Sequence, residues 1–179
     1  ELTWALGASE GLKYGRMCGP ICIAMAGKYF KQDHEDILSV FYETKDKNYI
    51  KTINNQDIDY HYWNAKAGWY YDGLIKKAEE AYGLQGHSGY INPQEESFMA
   101  NTKDLLAQCI DNQKILICSV YPEFFTDKRG GHLVIVRGYN WNGIQEELFF
   151  NDPLTPIIDG IKKPRAISLS QFLQSRNGQ

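Results

Sequence analysis

Helices first and strands later is the order of an α+β domain with an antiparallel sheet, and that is the fold class this sequence predicts. Two patterns carry the prediction. Apolar residues recur at helical spacings in the N-terminal half, starting with MCGPICIAMAGKYF. Three short runs rich in β-formers follow, KILICSVY, HLVIVRGY and ELFFN, with a turn signal (Asn140-Trp141-Asn142-Gly143) between the last two. Neither an internal repeat nor a Ser- or Pro-rich linker divides the chain, so residues 1–179 read as a single domain.

The elements follow in order. A helix is expected over residues 18–31, because Ile21, Cys22, Ala24, Met25, Ala26 and Tyr29 keep helical spacing. Pro20 suits its first turn, where a missing N–H is no loss. A second helix is expected over 34–42. Residues 43–61 are polar and rich in Asn and Asp, which predicts a loop. WYYDGLIKKAEEAY predicts a helix over 69–82 that ends at Gly83. TKDLLAQCIDN predicts a short helix over 102–112 with Thr102 as its cap. Strands are then expected over 114–121, 132–139 and 147–151.

Composition narrows the function classes. The 179 residues are 43% hydrophobic and 23% charged, ordinary values for a globular protein that can bury a core. The net charge of −3 lacks the basic surplus expected of a nucleic-acid partner. No run approaches the length of a membrane span. The chain starts ELTWALGASE, with neither Met nor a basic-then-apolar leader, which suggests a processed form or an excised domain.

Four cysteines are too few for a disulfide scaffold of this size, and C-x3-C at Cys18 and Cys22 is the wrong spacing for a zinc ribbon. Cys22 and Cys118 lie in apolar runs and read as small buried hydrophobes, and Cys109 as a helix-packing residue. Cys18 differs. At the first residue of a helix it faces unpaired backbone N–H groups and the positive end of the helix dipole, which favour thiolate over thiol. A nucleophilic cysteine needs a base and an orienter for that base. His132 opens one strand after Gly130-Gly131, and Asp152 closes the next before Pro153. A regular hairpin turning about Asn142 places these two opposite each other, ten residues either side of the centre. Cross-strand Cβ atoms are then roughly 4.5–5.5 Å apart.

Taken together, YGRMCGPICIAMAGKYF, GGHLVIVRGYNWNG and LFFNDP resemble the bacteriocin-processing (double-glycine) peptidase-like branch of the papain-fold cysteine peptidases. There a CGP motif opens the first helix, a GGH or GH motif opens a hydrophobic strand, and an NDP or DP motif closes the next. WNAKAGWYYDGLIKKAEEAYGL resembles the family's middle region, so the likeness runs from Tyr14 to Pro153. The resemblance implies a nucleophile helix packed on a C-terminal antiparallel sheet. It also implies Cys18 as nucleophile, His132 as general base and then acid, Asp152 as orienter, and the Cys18 N–H as an oxyanion donor. The implied reaction is hydrolysis of a peptide or isopeptide amide through an acyl-enzyme, with a peptide or protein substrate and no cofactor. Relatives are often bacterial and exported, which implies an extracytoplasmic or secreted location, with a cytoplasmic processing domain or a delivered effector as alternatives.

The sequence departs from the family in one place. A Gln several residues before the Cys usually supplies a second oxyanion donor, and none precedes Cys18; Leu12 or its neighbours occupy its place, with Ser9, Glu10 or Tyr14 as possible substitutes. Two alternatives therefore stay open: an acyl transferase of transglutaminase type with the same triad, and a non-catalytic peptide-binding member. Elsewhere the bland readings lead. His34 reads as a surface residue, His61 as packing among aromatics, and His87 as the sole rival base. Trp63, Trp69, Tyr70 and Tyr71 read as core packing, with a groove wall as the alternative. IKKPR reads as solvated surface, and Asn151 either caps its strand or helps to orient Asp152.

Overall fold

The computed structural model describes residues 17–31, 47–64, 68–89, 98–120, 132–142, 144–153 and 165–174, and its helices and antiparallel sheets are those of an α+β protein. By its internal contacts the chain divides into two compact units, residues 1–89 and 90–179.

In the first unit, helix α1 (Cys18–Lys31) starts where the sequence predicts. Its ladder opens with the Ile21 N–H donating to the Met17 carbonyl at 3.1 Å. Met17, Ile21, Cys22, Ile23, Ala24 and Ala26 are buried, and exposure begins only at Lys28, Tyr29 and Phe30. Helix α2 (Tyr71–Tyr82) packs close to it. A Cβ at Gly27 would fall 2.5 Å from the Tyr82 ring, so only glycine permits this approach. As expected, Gly83 ends α2 in the left-handed region (φ 63°), its N–H donating to the Glu79 carbonyl at 2.7 Å. The expected start of that helix is corrected. Trp69 belongs to a strand, and Tyr70 is extended at φ −84°, ψ 137°.

The expected loop over 43–61 is corrected as well. Residues 48–61 form a hairpin of β1 (Asn48–Ile53) and β2 (Gln56–His61), paired from Asn48↔His61 to Ile53↔Gln56. Asn54 and Asn55 turn it, both at positive φ (51° and 60°), as a two-residue hairpin turn of primed type requires. Aromatic rings meet on its half-buried face. Tyr49 lies 5.8 Å from Tyr60 and 4.8 Å from Tyr62, centre to centre. Lys51 on the same face bonds Asp72 of α2 at 2.5 Å, which holds the Asp72 carboxyl below its usual range. Burial, and then the Glu80 carboxylate that accepts its hydrogen bond, push the Tyr62 phenol up. A short ribbon of β3 (Trp63–Asn64) and β4 (Gly68–Trp69) follows, with Trp63 opposite Trp69.

The second unit opens with α3 (Phe98–Asp111). Thr102 does not cap it. The helix formers Met99 and Ala100 carry the helix back to Phe98, and Thr102 is taken into its buried interior. Gln113, left-handed at φ 57°, ends the helix; its N–H donates to Ile110 and that of Lys114 to Cys109, the paired bonds of a Schellman cap. Strands β5 (Leu116–Val120), β6 (His132–Asn140), β7 (Glu147–Asn151) and β8 (Arg165–Ser168) form one antiparallel sheet in that order.

Helix α4 (Leu169–Gln174) follows β8 directly. Its start is a capping box: the Gln171 N–H donates to Ser168 Oγ at 3.2 Å, and the Ser168 N–H donates to Gln171 Oε1 at 3.0 Å. The unit's core joins Leu106 of α3 and Leu169, Phe172 and Leu173 of α4 to Cys118, Val120, Val134, Val136, Leu148 and Phe150 of the sheet. Phe150 and Phe172 are fully buried, 5.7 Å between ring centres. The expected helix over 34–42 lies outside the described residues.

Candidate active site

The second unit carries an imidazole–carboxylate pair. His132 Nε2 lies 2.7 Å from Asp152 Oδ1, and both side chains are buried, at 4% and 0% exposure. The pairing expected from sequence is present, but the register that brings it about is different. Next to the turn, Tyr139 faces Leu148 and Gly138 faces Phe149; past Arg137, Val136 faces Phe150 and Ile135 faces Asn151. The hairpin does not turn about Asn142, because the connection runs from Trp141 to Glu146. Arg137 is the extra residue of a β-bulge.

That bulge decides which face Asp152 shares. Continued without it, the register of Tyr139 and Leu148 would set Asp152 opposite Ile135, whose side chain points away from the His132 face, because neighbours alternate along a strand. The bulge moves the register by one. Asp152 then aligns with Val134, two residues from His132 and on its face. The contact is a diagonal across the pair of strands, within reach of a long side chain such as His. His132, Val134 and Val136 form one row, and Leu148, Phe150 and Asp152 the next; the apolar members of both rows belong to the core of the unit. Val120 of β5, directly opposite His132, is fully buried too. The polar pair therefore sits at the end of a dry, packed surface.

Chemically, an ionised carboxylate can only accept, so this bond fixes the ring hydrogen on Nε2 and makes Nδ1 the nitrogen that can take up a proton.

In the first unit, Cys18 is the first residue of α1 and is partly exposed. Cys22 and Cys118 are buried, as expected; Cys109 is partly exposed on α3, and none of the four is joined in a disulfide. Trp69 packs against the start of α1 with Met17, Ile21, Ala24 and Met25. Asn151 is half-buried in the ladder opposite Ile135. His61 and His87 are exposed, and Tyr70 and Tyr71 lie on the surface at 40% and 44%. His34, Leu12, Ser9, Glu10 and Tyr14 lie outside the described residues. Among the described residues no group of three or more His, Cys, Asp or Glu is placed to hold a metal ion, and no helix is long and apolar enough to cross a membrane. The bulge is the functional feature that sequence reasoning missed. Its signal is the lone Arg137 among the apolar residues of HLVIVRGY, just ahead of Gly138.

The family model described as "Peptidase_C39 like family" matches residues 5–175 of the chain. The chain belongs to this family. Comparisons with curated proteins and with solved structures return no match. The peptidase C39-like family is the bacteriocin-processing-peptidase-like group that the sequence resembles, and membership points to a cysteine peptidase. The α+β architecture agrees with the papain-like fold of such enzymes.

Proposed function

We propose that this chain is a cysteine hydrolase that cleaves a peptide or isopeptide amide through Cys18, His132 and Asp152, and that its two compact units work as one papain-like domain. The observation that carries this reading is the buried His132–Asp152 pair in a chain of a peptidase family. Asp152 accepts from Nε2–H and fixes the tautomer. His132 Nδ1 takes the proton of the Cys18 thiol, and the thiolate adds to the substrate carbonyl. The Cys18 N–H, which α1 leaves without an intrahelical acceptor, donates to the oxyanion. The imidazolium then protonates the leaving amine as the C–N bond breaks. Water, deprotonated by His132, opens the thioester and returns the thiol.

An extracytoplasmic site of action is part of the proposal. A second reading, a peptide-binding member without turnover, draws on the absence of a Gln before Cys18. The test is digestion of a peptide mixture followed by mass spectrometry, with wild type, Cys18→Ala and His132→Ala. Hydrolysis products that vanish in both variants support the proposal. Products that gain the mass of an added amine identify acyl transfer instead. Peptide capture without turnover, equal in wild type and Cys18→Ala, identifies the binding module.

A further inference from the structure

The residue after the thiol, Gly19, has an unusual neighbour. A Cβ built on it would lie 2.6–2.8 Å from Cγ, Cδ1 and Cδ2 of Trp69, so the five-membered ring of the indole rests directly on the Gly19 α-carbon. The same ring packs against the buried cluster of Met17, Ile21 and Ala24 that underlies the start of α1. Trp69 thus covers the residue next to the thiol while remaining only half-buried, as Cys18 does. Its own backbone is held in place. It pairs with Trp63 across β3 and β4, and the next residue, Tyr70, donates its N–H to the Tyr62 carbonyl at 3.1 Å. Gly73 secures this anchor from α2, because a Cβ there would fall 2.6 Å from the Tyr62 α-carbon.

Backbone freedom explains why such a contact matters. Pro20 fixes its own φ, but Gly19 has no Cβ and would range widely by itself. A loose Gly19 would let the preceding residue swing, and with it the N–H and Sγ that Cys18 carries. The indole occupies the space into which Gly19 would move.

We infer that Trp69 is a positioning residue that fixes the first turn of α1, and through it the direction of the Cys18 thiol and N–H. The inference rests on Cys18 being the nucleophile. It explains why a tryptophan from a two-residue strand is set against a glycine.

The test is the rate of Cys18 alkylation by iodoacetamide, resolved by peptide mass mapping across the pH range, in wild type, Trp69→Phe, Trp69→Ala, Gly19→Ala and the Gly19→Ala/Trp69→Ala double variant. Misplacement of a reacting group by about 1 Å can cost 10²-fold. Trp69→Ala and Gly19→Ala are each expected to slow Cys18 at least about tenfold and to move its pH profile to the alkaline side. Trp69→Phe, which keeps a ring on Gly19, restores most of the rate. The double variant is no slower than either single one, because both changes remove the same contact. Circular dichroism and thermal melts identify any variant that fails to fold; where Trp69→Ala does, Trp69→Leu, which removes the flat ring with less loss of volume, carries the comparison and is expected to slow Cys18 in the same way. Cys18 rates and profiles within twofold of wild type in folded Trp69→Ala, Trp69→Leu or Gly19→Ala overturn the inference. If wild-type Cys18 reacts no faster than Cys109, the nucleophile assignment itself falls, which is a distinct result.

Discussion

The two units hold their chemistry in opposite ways. His132 and Asp152 close the ends of two core rows, over a floor that includes Phe150 and Phe172, and neither reaches solvent to any extent. Cys18 opens a helix beside a cluster that includes Met17, Ile21 and Ala24, with a half-exposed tryptophan against its neighbour. The difference is instructive. An acid–base pair works only if its tautomer and geometry are fixed, and a dry interior fixes them. A nucleophile must be reached by a large substrate, and Cys18, proposed for that role, is partly exposed.

Breaking the buried pair should have the largest effect. His132→Ala is expected to reduce peptide cleavage on the order of 10⁴-fold or more. Asp152→Ala should also destabilise the fold by about 3–5 kcal/mol, because one partner of a buried pair is stranded. Urea titration beside the activity assay measures both. A stable, fully active Asp152→Ala would remove the pair from the mechanism.

Two changes test how the pair is made. One alanine inserted between Asn151 and Asp152 moves the carboxylate to the face opposite His132 and leaves the ladder as it is, so activity should fall roughly 10⁴-fold, as when the orienting group of a triad is lost. The histidine ring resonances seen by NMR should lose the signature of the Nε2–Oδ1 bond. Deletion of Arg137 takes out only the extra residue: Gly138 keeps Phe149 and Val136 keeps Phe150, so Asp152 stays in line with Val134 and both readouts should be nearly unchanged.

The packing contrast gives a third, smaller effect. Phe150→Ala opens a cavity under the pair and should cost about 3–5 kcal/mol, whereas Met17→Ala, beside a partly open cluster, should cost about 2 kcal/mol. Urea midpoints compare them, and equal costs would deny that the two sites differ in rigidity.

The smallest effect lies at the surface pair of the first unit. Lys51 lowers the Asp72 carboxyl from 3.8, so this interaction stabilises the fold above that value and is lost as the pH falls through the lower, folded value. Both groups are more than a third exposed, which limits the gain. Asp72→Asn should therefore be slightly less stable than wild type at pH 7, and the gap should close in strong acid. A gap unchanged with pH would assign it to packing.

Most of the frame was legible in the sequence because it follows binary patterns. The apolar spacing of α1, the αL glycine after α2 and the runs of β5, β6 and β7 each have one simple cause. The hairpin over 48–61 was hidden because its alternating face is built from Tyr, Lys and Ile among polar residues, and its Asn54-Asn55 turn resembles loop composition. Strand β8 and α4 were missed, although SLSQ spells a capping box. In the site, His132 and Asp152 could be paired by eye, but the bulge at Arg137 could not. A turn longer than expected and a one-residue insertion combine to restore the same face, and only the ladder reveals that. The contact of Trp69 on Gly19 joins segments fifty residues apart, beyond any local pattern.

The central claim is that the nucleophile in one unit and the base in the other act together. Its most direct measurement is the alkylation rate of all four cysteines near neutral pH, in wild type and in folded His132→Ala. The account predicts that Cys18 outpaces Cys22, Cys109 and Cys118, and loses that lead when His132 is removed. Equal rates at Cys18 and Cys109, or a Cys18 rate indifferent to His132, would contradict it.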